Sequence, residues 1–192
     1  MSRSTPKTIL SFDCATSAGA VCALVGDGAA GWTAKASALA GLIDDVVDDP
    51  RAIEGIVVGT GPGSFTSIRI ALATARGLAL ALDVPVAGSS TLAAFVGGVP
   101  VIDARRGEVF GEGGVVCRPE ELDVTGTVLV GDGAVRYRAV FEAAGASVPP
   151  DDDAAHRPDP FVLAEHAGPF GPVEEVDPLY LRIPDAKPAA VR

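Results

Sequence analysis

Residues 54–82 read as a short buried strand, Glu54-Gly-Ile-Val-Val-Gly59, that runs through a glycine-rich turn, Gly59-Thr-Gly-Pro-Gly-Ser-Phe-Thr66, into a long helix from about Thr66 to Leu82. A strand feeding a helix through a tight turn is a unit of α/β folds. The helix is apolar almost all the way round: Ile68, Ile70, Ala71, Leu72, Ala73, Ala75, Leu78, Ala79, Leu80, Ala81 and Leu82 leave a thin polar strip of Arg69, Thr74 and Arg76. An ordinary amphipathic helix buries one stripe. A sheet covers one side only, so the remainder needs cover from the helix around Leu42 or from another molecule. Ala71, Ala75 and Ala79, with Gly77 nearby, would let another helix approach closely.

The flanking sequence places this unit in one mixed sheet with helices on its faces. Upstream, Thr8 to Asp13 and Ala20 to Val25 read as a hairpin around the small-residue turn Cys14 to Gly19. A third strand follows at about Ala30 to Ala34, then Leu39, Leu42, Ile43, Val46 and Val47 at helical spacing, ended by Asp48-Asp-Pro50. Downstream, Asp83-Val-Pro85 stops the long helix, Val86 to Gly88 is a strand, and Ser90-Thr91 caps a short helix finishing at Gly97-Gly98. The rest is a reduced echo of this layout. Pro100 to Asp103, Glu108 to Gly111, Val115 to Cys117 and Thr127 to Val130 read as strands, Val135 to Ala144 and Phe161 to Ala167 as helices, and Pro149 to Pro160 as a polar loop. The expected division is two subdomains, residues 1–98 and a smaller one of residues 99–192.

Composition excludes several function classes. With 48% hydrophobic and 21% charged residues in 192, the chain can bury a substantial core. Its net charge of -10 opposes phosphate backbones and anionic lipid, so a stand-alone nucleic-acid binder is disfavoured. The charge is uneven: residues 1–98 carry six basic and eight acidic side chains, residues 99–192 nine and seventeen. Cys14, Cys22 and Cys117 have no metal-type spacing and are odd in number, which fits a reducing compartment. No apolar run reaches the roughly 18 residues of a membrane span, so the chain is expected in the cytoplasm without membrane contact.

Candidate sites follow from the turns. Free N–H groups in the turn before the long helix would suit an anion, but Gly-Lys-Ser/Thr is missing and Ser64 stands where a dinucleotide fingerprint has glycine. Ser64 or Thr66 is therefore read as a helix cap, and Ser64 is no nucleophile elbow, because that motif needs glycine at Thr66. Asp13 and Asp103 end matching strands, where carboxylates either hold a hydrated magnesium ion over a nucleotide or cap turns; capping is the commoner role. His156 and His166 are the only histidines and lack helical metal-ligand spacing, so both read as surface residues. Arg105 and Arg106 read as a solvated turn.

The blocks Phe12-Asp-Cys-Ala-Thr-Ser17, Gly61-Pro-Gly-Ser-Phe-Thr-Ser-Ile-Arg69, Gly88-Ser-Ser-Thr-Leu92, Asp103-Ala-Arg-Arg-Gly-Glu-Val-Phe110 and Pro178-Leu-Tyr-Leu-Arg182 resemble, in family order, the TsaB family, also called YeaZ. The block from Gly61 to Arg69 is the most specific. Lys35 stands where many members carry histidine, and Gly41 where proline is frequent.

The resemblance implies an actin-like, ribonuclease-H-like α/β fold of two tandem subdomains, with mixed sheets flanked by helices. It also implies a non-catalytic accessory role in making N6-threonylcarbamoyladenosine in tRNA. The implied partners are a TsaD homologue, which transfers the threonylcarbamoyl group, and a TsaE-type ATPase, with tRNA met only through the complex. Partner contacts are expected at Leu42, Val46, Phe65, Arg69, Leu72, Ala73 and Arg76, with a homodimer through the same helices as a further use of them. Asp13, Ser17 and Asp103 are the nucleotide-proximal candidates. No catalytic or metal residue and no cofactor of its own is expected, ATP or ADP being placed at the partner interface. The competing class is an enzyme, either an actin-like nucleotide hydrolase or a protease-like protein acting on a partner.

Overall fold

The computed structural model describes residues 5–181. Strands β1 (Ile9–Asp13), β2 (Ala20–Val25) and β3 (Ala29–Thr33) form an antiparallel meander, to which β4 (Gly55–Gly59) and β5 (Val86–Ser89) add in parallel, giving the order β3-β2-β1-β4-β5. The two-residue alternation of strands divides this sheet between two cores. Leu10, Phe12, Ile56 and Val58 meet helices α1 (Leu39–Val46) and α2 (Phe65–Leu82) on one face. Val57 and Ala87 meet α5 (Pro160–Glu165) on the other. The last described part of the chain thus returns to cover the first sheet. Gly31 makes room for α1, since a Cβ there would lie 2.7 Å from Leu42 Cδ1.

The second half opens with β6 (Val99–Pro100), then an antiparallel set, β7 (Ile102–Arg105), β8 (Glu108–Gly111) and β9 (Val115–Cys117). β10 (Leu129–Val130) pairs in parallel with β6, and α3 (Asp132–Arg136) and α4 (Arg138–Ala143) follow. Val101, Val109, Leu129, Ala134 and Phe141 form its core.

Several elements differ from the sequence reading. The helix expected over Val135 to Ala144 is two short helices, because Tyr137 leaves the helical region (φ -109°, ψ 22°). The helix after Ser90 is a single 3₁₀ turn, Thr91–Ala94, and the polar loop after Pro149 contains another at Ala154–His156. The strand expected over Pro100 to Asp103 is split between β6 and β7. By length and composition α2 is a candidate membrane span, against the expectation of no such run, but Ile68, Ala71, Leu72, Ala75 and Ala79 are buried in the first core.

Candidate functional site

The glycine turn before α2 is held from three sides. Ser64 N donates to Ala15 O (2.7 Å), and Ser64 Oγ caps α2 by accepting from Ser67 N (3.4 Å). The capping role read from the sequence is therefore the one present. Gly63 has to be glycine, since a Cβ there would fall 2.3 Å from Ala15 O. Gly61 N donates to Thr91 Oγ1 (3.2 Å), while Thr91 N donates to Gly61 O (2.8 Å). With these N–H groups already engaged, the turn is built as a joint and not as an anion cradle.

Asp13 anchors that joint. Its Oδ2 accepts the Thr91 hydroxyl (2.6 Å) and its Oδ1 accepts Ala15 N (2.6 Å), in a site with no solvent exposure. Burial pushes its carboxyl above the ordinary carboxylate range, the two hydrogen bonds oppose this, and the nearby charge of Asp132 adds to it. Asp103 likewise caps its turn by accepting Arg105 N (2.9 Å), and it pairs with Arg105 (3.2 Å) and Arg136 (3.6 Å). Arg105 is thus an ion-pair partner, contrary to the purely solvated turn expected. Burial pushes the Cys14 and Cys22 thiols up to about 12, so neither is a poised thiolate.

Asp132, which sequence reasoning missed, brings these groups together. Its Oδ2 accepts both Ser17 N and Ser17 Oγ (2.7 Å each), and its Oδ1 accepts Asp103 N (3.0 Å). The only local signal was its place directly after Gly131 at the end of a strand, the kind of place that singled out Asp13 and Asp103. His156 also corrects its expectation as a surface residue: it is 4% exposed. Its Nδ1 accepts Gly131 N (3.1 Å), which leaves Nε2 to donate to Pro149 O (3.1 Å). His166 is exposed, as expected. Among the described residues no group of three or more His, Cys, Asp or Glu is placed to hold a metal ion.

On α2 the structure separates the candidate contact residues. Phe65, Arg69, Ala73 and Arg76 are exposed and Leu72 is buried. Leu42 and Val46 of α1 are buried against the sheet, while Gly41, Asp44 and Asp45 face outward. Ala71, Ala75 and Ala79 lie inside, so the small-residue stripe admits the sheet and not a partner helix; Ala73, Gly77 and Ala81 form the exposed stripe. Leu80 is 86% exposed. At the start of α2 the Arg69 guanidinium stacks 3.8 Å over the Phe65 ring and its Nε donates to Tyr180 Oη (3.3 Å), with the two rings 5.0 Å apart. Tyr180 belongs to the resemblance block ending at Arg182, which lies outside the described residues.

The strand order, the two helices on one face and the paired aspartate turns define an actin-like, ribonuclease-H-like protein. YeaZ from Pseudomonas aeruginosa superposes with a TM-score of 0.72 at 26% identity, over 91% of this chain and 99% of that one. The family model described as "TsaD: tRNA N6-adenosine threonylcarbamoyltransferase" matches residues 36–131. An uncharacterized protein of Mycobacterium tuberculosis is 36% identical over 154 residues, 72% of this chain and 69% of its own length. The tRNA threonylcarbamoyladenosine biosynthesis protein TsaB of Bacillus subtilis is 43% identical over 77 residues, 36% of this chain and 34% of its own. The chain belongs to the TsaB (YeaZ) family.

Proposed function

We propose that this protein takes part in tRNA threonylcarbamoyladenosine biosynthesis as a non-catalytic subunit, which binds a TsaD-type transferase through the exposed face of α2 and activates it. The observation that carries this reading is the face itself: Phe65, Arg69, Ala73, Arg76 and Leu80 stand outside on a helix whose other side is already buried. Aromatic and arginine side chains are the ones enriched at interface centres. The transferase family model spans α1 and α2, which supports pairing between two similar helix pairs. Without the transferase the same face would hold a second copy. A TsaE-type ATPase completes the machinery in this reading, with ATP or ADP at the partner interface, and tRNA reaches the chain only through the complex.

The hydrolase alternative has less support, because both Asp13 oxygens accept internal hydrogen bonds and both His156 nitrogens have internal partners. Co-expression with a TsaD homologue from the same organism, followed by size-exclusion chromatography and a threonylcarbamoyl-transfer assay, tests the proposal. Co-migration and stimulated transfer are expected. Separate migration with unchanged transfer overturns it. ATP or peptide turnover by the isolated chain that Asp13→Ala abolishes overturns the non-catalytic role.

A further inference from the structure

The last described residues come back to the start of α2. Val176 is buried in the first core, and Leu179 N donates to Thr60 O (2.8 Å), which lays this segment along the glycine turn. Tyr180 is thereby set at the foot of the helix. Its ring lies 5.0 Å from that of Phe65 and its hydroxyl accepts Arg69 Nε (3.3 Å), while the Arg69 guanidinium stacks 3.8 Å over Phe65. Two contacts thus order a long side chain that is exposed to solvent. Both engage Nε or the flat face of the group, and the fork of its two terminal nitrogens has no hydrogen-bond partner among the described residues. Charge says what that fork can meet. α2 carries Arg69 and Arg76 and no acidic residue, in a chain whose net charge is -10. The two arginines are exposed and seven positions apart, about two helical turns, so they share the outer face with Ala73 between them. Among the described residues neither forms an ion pair. A guanidinium with a free fork takes a carboxylate in two parallel bonds, and a side chain ordered beforehand loses less freedom on association.

We propose that the outer face of α2 reads carboxylates on its partner: Arg69 receives one in its fork, Arg76 attracts a second two turns along, and Tyr180 is the positioning residue that holds Arg69 ready. The inference rests on the reading that this face binds a TsaD-type transferase, and it adds the chemistry of the surface that docks there, an acidic patch spanning about two helical turns. It also brings the segment after Val176 into the interface, since the Tyr180 hydroxyl acts on the partner only through the guanidinium it orients.

The test is titration calorimetry of a TsaD homologue from the same organism against the full chain and its variants Arg69→Lys, Arg69→Gln, Tyr180→Phe, the double variant Arg69→Lys with Tyr180→Phe, and Ala73→Glu. All three positions are exposed, so melting temperatures should stay close to that of the parent. Arg69→Lys keeps the charge and loses the fork, and its affinity should fall roughly tenfold. Tyr180→Phe keeps the ring and loses only the hydroxyl, for a fall of roughly threefold. The double variant should bind no more weakly than Arg69→Lys alone, because the hydroxyl has no other route to the partner. Binding by the parent should weaken as salt rises, and less steeply so in Arg69→Gln. Parental affinity in Arg69→Lys, or an unchanged salt dependence in Arg69→Gln, overturns the carboxylate fork. Losses that add in the double variant, or no loss in Tyr180→Phe, overturn the positioning role. Ala73→Glu separates these failures from that of the underlying reading. If it weakens binding while the Arg69 variants do not, the face stands and its acid-reading chemistry is wrong; if no variant changes the affinity, the partner docks elsewhere and the inference falls with the reading.

Discussion

The Thr91 hydroxyl donates to Asp13 Oδ2 at 2.6 Å while accepting the Gly61 N–H at 3.2 Å. One side chain thus links the end of β1 to the turn that launches α2. The aspartate is fixed as a structural anchor, and through Gly61 it sets where the helix begins. The family block from Phe12 to Ser17 and the block from Gly88 to Leu92 meet at this contact, so their co-occurrence has a physical reason in this chain: each supplies one partner of a buried hydrogen bond.

Replacing Thr91 by Val keeps the shape and removes the hydroxyl. Asp13 Oδ2 and Gly61 N then lose their partner in a fully buried site, which should cost roughly 3 kcal/mol. Urea unfolding measures it. A loss within error of zero would mean that the hydroxyl is not the link described.

Asp13 predicts a pH dependence of definite sign. Its carboxyl titrates above the ordinary value because burial disfavours the charged form. The folded state therefore keeps a proton that the unfolded state has already released, and stability falls as pH rises from about 4. Asn cannot ionise, so the stability of Asp13→Asn relative to the unmodified protein should improve as pH rises from about 4 to 7. Thermal melts of both proteins across that range check it. A constant difference, or one of opposite slope, would refute the assignment.

The sequence made the first sheet legible because its strands are short runs of apolar and β-favouring residues punctuated by small-residue and glycine turns, and because Ser64 sits where a helix cap is needed. It did not show which side of α2 is buried. A helix apolar all round has no stripe to read, and only the sheet, pressing on Ala71, Ala75 and Ala79, selects one. Asp132 and His156 were hidden for a related reason: their partners Ser17, Gly131 and Pro149 are set by tertiary folding and no local pattern announces them. Arg138 shows the same at the α3–α4 junction, where it holds the Val148 and Pro149 carbonyls.

The net charge of -10 predicts weak binding of tRNA by the isolated chain. Counter-ion release, which drives phosphate binding, requires clustered cations. Arg69 is already stacked on Phe65 and bonded to Tyr180. Fluorescence anisotropy at physiological salt should therefore give no tight complex, and any residual binding should fade steeply as salt rises. Tight, salt-resistant binding by the chain alone would require a tRNA surface of its own.

Ala73 and Ala75 lie two positions apart on α2 and face opposite environments, Ala73 exposed and Ala75 fully buried. Glutamate at the two positions should therefore fail in different ways. Ala75→Glu drives a carboxylate into the core between helix and sheet, where an unpaired charge costs several kcal/mol, so it should lose its folded circular dichroism or melt far below the unmodified protein. Ala73→Glu places the same charge beside Arg69, Arg76 and Gly77 on the outer face, and its melting temperature should stay close to that of the parent. If that face receives the transferase, the added side chain cannot be buried there without a partner, and its affinity should drop roughly tenfold or more in a titration, with stimulation of threonylcarbamoyl transfer falling in parallel. Ala73→Glu that folds and binds a TsaD homologue with unchanged affinity would move the interface away from α2, and Ala75→Glu that folds normally would contradict the burial of that position.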